Sequence, residues 1–477
     1  VKTCFKCGKC VTLHEKSIKN VISNTFLALQ LHKKVHMFDR KIIVRLKQWL
    51  AKEDRKPLMM LGARQVGKTS VLKRFGKECF EHCAYFSLDE EDGVCDIFRK
   101  TKNPKQVIEQ LSFLTDVPIL PGKTLLILDE IQECPEAITA MKYFCEQAPT
   151  YCVACAGSLL GLAFGHGGFS FPVGKVDHLE MYPVSFSEFL EQKDANLYRY
   201  YQSIQGFDAI PEVFFDRLSQ AFMAYRISGG MPEAAMKMLN LDRAGVETVL
   251  KNILRDYSFD FVKHATPQLA NRISYVWNSL PSQLAKENRK FIYQLVRPGA
   301  RAREYEDALT WLKNAGLLYK VSLCATPRLP LKSYEDLSIF KIYCLDIGLL
   351  RVLAEMDADI YLSDNPGFKE FKGALAENYV LQSMVTQGVN CSRYWSSGNK
   401  AEVEFIIQHA SQVIPIEVKS GTSVTGKSLI EYNKKYSPEL RVRFSMLNMK
   451  KDDNFINMPL FMADRFADLV LSNEEQH

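Results

Sequence analysis

One stretch constrains this chain more than any other: KPLMMLGARQVGKTSVLKRF, residues 56–75. An apolar run, Leu58 to Leu61, ends in Gly62. The pattern G-x-x-x-x-G-K-T follows, closing on Gly67, Lys68 and Thr69, and a helical pattern resumes with Val71 and Leu72. Strand, glycine loop and helix stand in the order that a phosphate cradle needs. Glycine lets backbone N–H groups converge on phosphate oxygens without a Cβ in the way. The N-terminus of the following helix adds partial positive charge. Gly62, Ala63, Arg64, Gln65, Val66, Gly67, Lys68, Thr69 and Ser70 are therefore the expected contacts to a nucleoside triphosphate such as ATP. Lys68 would reach the β- and γ-phosphates, and the Thr69 hydroxyl would ligate Mg²⁺.

A strand carrying an acid should lie beside that magnesium, and KTLLILDEIQ supplies one. Leu125 to Leu128 reads as a strand buried on both faces of a parallel sheet. It ends in Asp129, placed to hold the Mg²⁺ water shell, and Glu130, placed to deprotonate an attacking water. The next strand candidate, in YCVACAGSLLG, brings Ser158 to the same rim. Two readings of Ser158 stand side by side there: a sensor of the γ-phosphate, or a plain turn or helix cap.

Composition sets the frame. The chain has 477 residues, 47% hydrophobic and 24% charged, with a net charge of +6. That is the profile of a globular protein of about three domains. No run approaches the roughly 18 apolar residues of a membrane span, so no membrane partner is expected. The thirteen cysteines mostly stand singly in apolar runs, which points to reduced core thiols in a cytoplasm. The opening VKTCFKCGKC departs from this. Cys4, Cys7 and Cys10, with His14, can ligate zinc or an iron–sulfur centre, but the spacing fits no common framework. Residues 1–36 are read instead as a disordered leader or extension, with Met37 opening an amphipathic helix in MFDRKIIVRLKQWL.

The motifs together resemble the P-loop ATPases of the AAA class. The combination GARQVGKTS, LLILDEIQ, CAGS and MYPVSFSEFL is more specific. It resembles a large bacterial and archaeal family of AAA ATPases whose conserved C-terminal domain is nuclease-like. The resemblance covers nearly everything after Met37. It implies an α/β architecture: a P-loop NTPase αβα core over 37–205, a helical lid over 206–265, a winged-helix segment over 266–364, and an α/β restriction-endonuclease-like domain over 365–477. In AYRISGGMPEAA, Gly229 and Gly230 permit tight turning before Pro232. The stretch resembles the glycine-x-proline element of signalling-type AAA relatives, whose proline packs on the nucleotide. The bland alternative is a helix boundary.

From Gln268 to Leu323, short amphipathic helices lead into GLLYKVSL, as a winged helix would. Arg272, Lys286, Arg289, Lys290, Arg297, Arg301 and Arg303 gather here, against a single acid, Glu287, between Gln268 and Arg303. Clustered Lys and Arg suit phosphate contacts and admit DNA as a partner. Solvated helix faces explain the same charges.

KAEVEFIIQHASQVIPIEVKSG, residues 400–421, reads as a hairpin. Matching apolar to apolar requires a two-residue turn at Ala410 and Ser411. Val403 then faces Val418, Phe405 faces Ile416 and Ile407 faces Ile414. On the other face Glu404 lies opposite Glu417, and Glu402 opposite Lys419. Facing carboxylates repel unless a cation bridges them. Glu377, in the helical pattern KGALAENYVLQSM, can point to the same spot. The set resembles the PD-(D/E)XK nucleases, and the matching positions are Glu377, Glu404, Glu417 and Lys419. That resemblance implies Mg²⁺ held by the acids and assisted by the lysine. The first strand acid of that superfamily is usually Asp. Here it is Glu404, whose extra methylene moves a ligand by about an ångström.

The leading expectation is a Mg²⁺-dependent ATPase with a nuclease-like module acting on or near DNA. The second is an ATP-driven switch whose C-terminal domain binds a protein or DNA without cutting. The third is a nuclease in which ATP only regulates access. A homo-oligomer or a protein partner fits the first two.

Overall fold

The computed structural model describes residues 38–158, 172–286, 289–363, 365–398, 400–422 and 426–472. Cys4, Cys7, Cys10, His14, Met37 and Glu287 lie outside them. The first part is built on a five-stranded sheet of β1 (Leu58–Leu61), β2 (His82–Ser87), β3 (Thr124–Asp129), β4 (Cys152–Ala156) and β5 (Asp177–Glu180), in the order β2-β3-β4-β1-β5. Every pairing in it is parallel. Successive side chains on a strand point to opposite faces, and the core divides accordingly. Leu58, Met60, Leu125, Ile127 and Ala154 join one apolar cluster with Leu46 and Trp49 of α1 (Ile42–Leu50) and Leu72 and Phe75 of α2 (Lys68–Cys79). Met59, Leu126, Leu128, Val153 and Cys155 join another. That second cluster holds Phe98 of α3 (Asp92–Lys100), Val107 of α4 (Pro104–Ser112) and Phe144 of α5 (Pro135–Gln147). Helices thus cover both faces, which is why β3 and β4 are buried along their whole length and Leu125–Leu128 form a continuous apolar run rather than an alternating one.

α6 (Phe186–Lys193) and α7 (Ala195–Ser203) lead to a helical segment of α8 (Glu212–Ser228), α9 (Pro232–Leu239) and α10 (Arg243–His264). Next come α11 (Pro267–Leu284), α12 (Tyr293–Val296) and α13 (Ala302–Asn314). α13 runs into an antiparallel hairpin of β6 (Leu318–Leu323) and β7 (Asp336–Cys344), the helix-into-hairpin order read from the sequence. α14 (Ile347–Leu353), α15 (Ala358–Leu362) and α16 (Lys369–Thr386) follow.

The C-terminal strands are β8 (Arg393–Ser396), β9 (Glu402–Val403), β10 (Phe405–His409), β11 (Gln412–Val418), β12 (Arg441–Ser445), β13 (Lys450–Asp452) and β14 (Phe455–Pro459), with α17 (Lys427–Tyr436) between β11 and β12. They form one sheet in the order β10-β11-β12-β14-β13, and contribute to another in the order β7-β6-β8-β9. β6 pairs in parallel with β8 through Ser322 and Arg393. The segments read as 266–364 and 365–477 therefore share a sheet. Among the described residues, no helix is long and apolar enough to cross a membrane.

The hairpin register is the expected one along β10 and β11: Phe405 faces Ile416, Ile407 faces Ile414, and Ala410 and Ser411 form the turn. Beyond Phe405 the expectation fails. The chain bends at Glu404, and β9 leaves β11 to pair with β8, so Val403 faces Trp395 and Glu402 faces Ser396. Val403 does not face Val418, and Glu402 does not face Lys419. The reason is a competing partner: Lys341, fully buried on β7, draws Glu402 into an ion pair. An unpaired buried ammonium would be far costlier than two lost ladder positions.

Candidate functional site

The glycine loop sits between β1 and α2, with Gly67 at φ 96° as the residue that starts the helix. Lys68, only 7% exposed, donates to the carbonyls of Gly62 at 2.9 Å and Ala63 at 2.8 Å. Burial lowers its ammonium pKa to about 8. Glu130 and Asp129 pull the other way, while Arg64 adds to the lowering. The Thr69 hydroxyl donates to Asp129 Oδ2 at 2.6 Å, and the Tyr85 hydroxyl donates to the same oxygen at 3.1 Å. Burial, with Asp129 beside it, raises the Tyr85 phenol to about 12. A hydroxyl and a carboxylate converging next to a buried lysine fit a hard, oxygen-seeking cation bound together with a phosphate.

Glu130 leaves the end of β3 in the left-handed region, at φ 49°. Gln132 Nε2 donates to its Oε2 at 2.6 Å, and the Ser158 hydroxyl lies 3.5 Å from the same oxygen. The structure thus gathers Lys68, Thr69, Asp129, Glu130 and Ser158 from three adjacent strand ends. A cleft of about 850 Å³ opens on Gly62, Ala63 and Ser158 but is not lined by Lys68, Thr69 or Asp129, so it does not coincide with the cluster those three side chains form.

Several braces around the loop escaped the sequence reading. Arg40, just ahead of α1, donates to Val66 O at 2.9 Å and Glu188 Oε2 at 3.2 Å. Glu188 also accepts from the backbone N–H groups of Lys41 and Ser185. Its signal was present in SFSE: Ser185 and Glu188 form a capping box at the start of α6. On the other side α10 grips the loop with one turn. Asp260 pairs with Arg64, Asp256 accepts from Gln65 Nε2 at 2.9 Å, and the Tyr257 hydroxyl donates to Arg64 O at 3.0 Å. Nothing local in the sequence marks these three.

Pro232 opens α9 and packs on the loop: a Cβ built on Gly67 would lie 3.8 Å from the Pro232 ring. Gly230 is pressed against β5's exit, where a Cβ would come within 2.2 Å of Val184 O. Its N–H donates at 2.6 Å to Asp346, the cap of α14, which also accepts from Gly348 and Leu349. Burial pushes the Asp346 carboxyl up to about 6, against the pull of those three N–H groups. Loop, Pro232, Gly230 and Asp346 form one continuous packed path.

In the C-terminal part the structure brings together all four nuclease-like candidates. Glu377 lies on α16, Glu404 at the bend and Glu417 on β11, all three buried. The Lys419 ammonium sits 3.5 Å from Glu404 and 3.3 Å from Glu417. Val418 N–H donates to Glu404 at 3.1 Å. Glu377 accepts from the Tyr343 hydroxyl at 3.1 Å and pairs with Arg289. Burial raises the Glu404 carboxyl to about 7; Lys419 opposes this, and Glu377 and Glu417 add to it. Among the described residues, no three His, Cys, Asp or Glu side chains are grouped so as to hold a metal ion. The residues present at this cluster do not fit the metal that the nuclease resemblance implies.

Residues 54–190 match a family described as an AAA domain. Residues 219–360 and 372–461 match two domains of unknown function, DUF8612 and DUF4143. No curated protein matches. Among solved structures, a Walker-type ATPase of Pyrococcus abyssi is 17% identical, covering 66% of this chain and 96% of that one, with a TM-score of 0.41. The ORC1 protein of Aeropyrum pernix in complex with DNA is 14% identical, covering 66% and 91%, with a TM-score of 0.27. The RuvB Holliday junction branch migration motor of Thermotoga maritima is 14% identical, covering 62% and 91%, with a TM-score of 0.26. With the glycine loop, the Asp129–Glu130 strand end and the matched family in agreement, the chain carries an AAA-type P-loop ATPase domain.

Proposed function

We propose that this chain binds ATP with Mg²⁺ at the loop before α2 and hydrolyses it, and that the nucleotide state is passed to the C-terminal half. The observation that carries the reading is the Thr69–Asp129 contact at 2.6 Å beside buried Lys68. It joins two motifs 60 residues apart into one ligand pair. Mg²⁺, when bound, neutralises phosphate charge. Lys68 supplies a point charge to the terminal phosphates, and the loop N–H groups orient them. Glu130 takes the proton of the attacking water, held in place by Gln132 and Ser158. Pro232, Gly230 and Asp346 form the route by which a change at the loop reaches α14 and the sheet beyond.

For the C-terminal domain, the order α16, β8, β9, β10, β11, α17, β12 with β11 parallel to β12 supports a nuclease-like fold. Arg289, a second cation inside its carboxylate cluster beside Lys419, favours the non-cleaving reading: an ATP-driven switch whose C-terminal domain binds rather than cuts. Arg297 and Arg301, ahead of α13, and Arg303, in its first turn, are exposed and support DNA as what is bound. The buried thiols of Cys152, Cys155 and Cys344 suit a reducing cytoplasm.

Nucleotide binding and turnover, measured with and without DNA, test this. Lys68→Ala should abolish tight ATP binding. Glu130→Gln should keep binding and lower turnover by about 10²-fold or more, and DNA should stimulate the wild type. Wild-type turnover in Glu130→Gln rules out Glu130 as the base. DNA-independent turnover turns the switch toward a protein partner.

A further inference from the structure

We infer that Arg289 takes the place of a metal ion in the C-terminal carboxylate cluster, so that the nuclease-like site of this chain is closed by its own guanidinium. Five of the six oxygens of Glu377, Glu404 and Glu417 already have protein partners: Arg289 and Tyr343 on Glu377, Lys419 and Val418 N–H on Glu404, and Lys419 on Glu417. Only Glu417 Oε2 is buried without one. A divalent ion needs several converging oxygens with free lone pairs, and a guanidinium seated among them occupies those lone pairs and repels the ion. Here two cations stand among the acids, and Arg289 also interacts favourably with Glu404.

Arg289 is held there firmly. Its side chain is 14% exposed. Its Nε donates to Leu284 O, at the end of α11, at 3.3 Å. A Cβ added to Gly373 on α16 would come within 2.9 Å of its terminal nitrogen. Its backbone adopts φ 47°, a left-handed conformation that an arginine keeps only where surrounding contacts over-determine it. Arg289 comes from the α11–α12 connection, outside the C-terminal domain. The ion pair with Glu377 therefore ties the two segments together as a bridging metal would, with the planar guanidinium suited to a buried carboxylate. Of the basic residues that the sequence offers to DNA, this one is consumed internally.

The test uses the full chain without nucleotide: wild type, Glu404→Gln, Arg289→Gln, Arg289→Lys and the double variant Arg289→Gln/Glu404→Gln. Each is melted in Mn²⁺ and in EDTA, and Mn²⁺ binding is followed by electron paramagnetic resonance. The wild-type melt should be indifferent to Mn²⁺. Arg289→Gln should melt lower in EDTA and regain part of the loss in Mn²⁺, the double variant should lose that response, and Arg289→Lys should remain indifferent. A Mn²⁺ site in the wild type that Glu404→Gln abolishes would overturn the inference, as would Arg289→Gln without any response to Mn²⁺. Should Arg289→Gln fail to fold, the resonance titrations of wild type and Glu404→Gln decide alone: a stoichiometric Mn²⁺ site lost on the Glu404 substitution refutes it, and no difference upholds it.

Discussion

ATP binding should be accompanied by proton uptake, because Lys68 is buried before the phosphates arrive. Burial lowers its pKa to about 8, from 10.5 for an exposed lysine. At pH 8 about half of the molecules then carry a neutral amine. A bound triphosphate favours the ammonium and returns the pKa to the usual lysine range or above. Binding at pH 8 should thus take up about 0.5 proton per nucleotide, against about 0.1 at pH 7 and about 0.9 at pH 9. The sign follows directly: the folded, nucleotide-free protein disfavours the charged form that the ligand needs, so affinity falls as pH rises through 8. Between pH 7 and pH 9 the dissociation constant should weaken about 10-fold, or ~1.4 kcal/mol. Phosphate groups titrate near pH 6, so they contribute little over this range. Tyr85, raised to about 12, stays protonated across it. Isothermal titration calorimetry in buffers of different ionisation enthalpy reads the uptake directly. Lys68→Arg keeps a charge that does not titrate, and any binding it retains should show no uptake. A flat affinity from pH 7 to pH 9, or uptake below about 0.1 proton at pH 8, refutes the argument that Lys68 is desolvated in the waiting loop.

Two further substitutions probe the supports of the loop. Gly230→Ala pushes a methyl to within 2.2 Å of Val184 O, so urea denaturation should show a loss of about 1–3 kcal/mol. Gly93→Ala, on α3 with open space around it, should lose nothing; equal behaviour of the two would mean that the turn at Gly230 relaxes freely. Arg40→Ala leaves buried Glu188 without its cation and frees Val66 O, so stability should fall by about 3–5 kcal/mol and nucleotide affinity should fall with it. Undiminished affinity would show that the loop holds its shape unaided.

Some of this molecule was legible in its sequence because the information is local. G-x-x-x-x-G-K-T between an apolar run and a helix places Lys68 and Thr69 by backbone geometry alone, and a fully apolar run ending in Asp129 and Glu130 marks a strand covered on both faces. The register of Phe405 against Ile416 was legible for the same reason, since a two-residue turn and alternating apolar residues leave one solution. What the tertiary structure decided involves partners distant in the chain. Arg40 meets Glu188 across 148 residues, and Asp260 meets Arg64 across 196. β9 abandons β11 because Lys341, 61 residues away, requires Glu402. Arg289 reads in sequence as one more surface cation. In the fold it lies against Glu377, because the cost of burying a lone carboxylate outweighs the solvation of an arginine that can reach it. Periodicity and motif spacing describe how a segment meets its immediate neighbours along the chain. Which buried charges meet across the fold depends on how far each side chain reaches once the helices and sheets have packed.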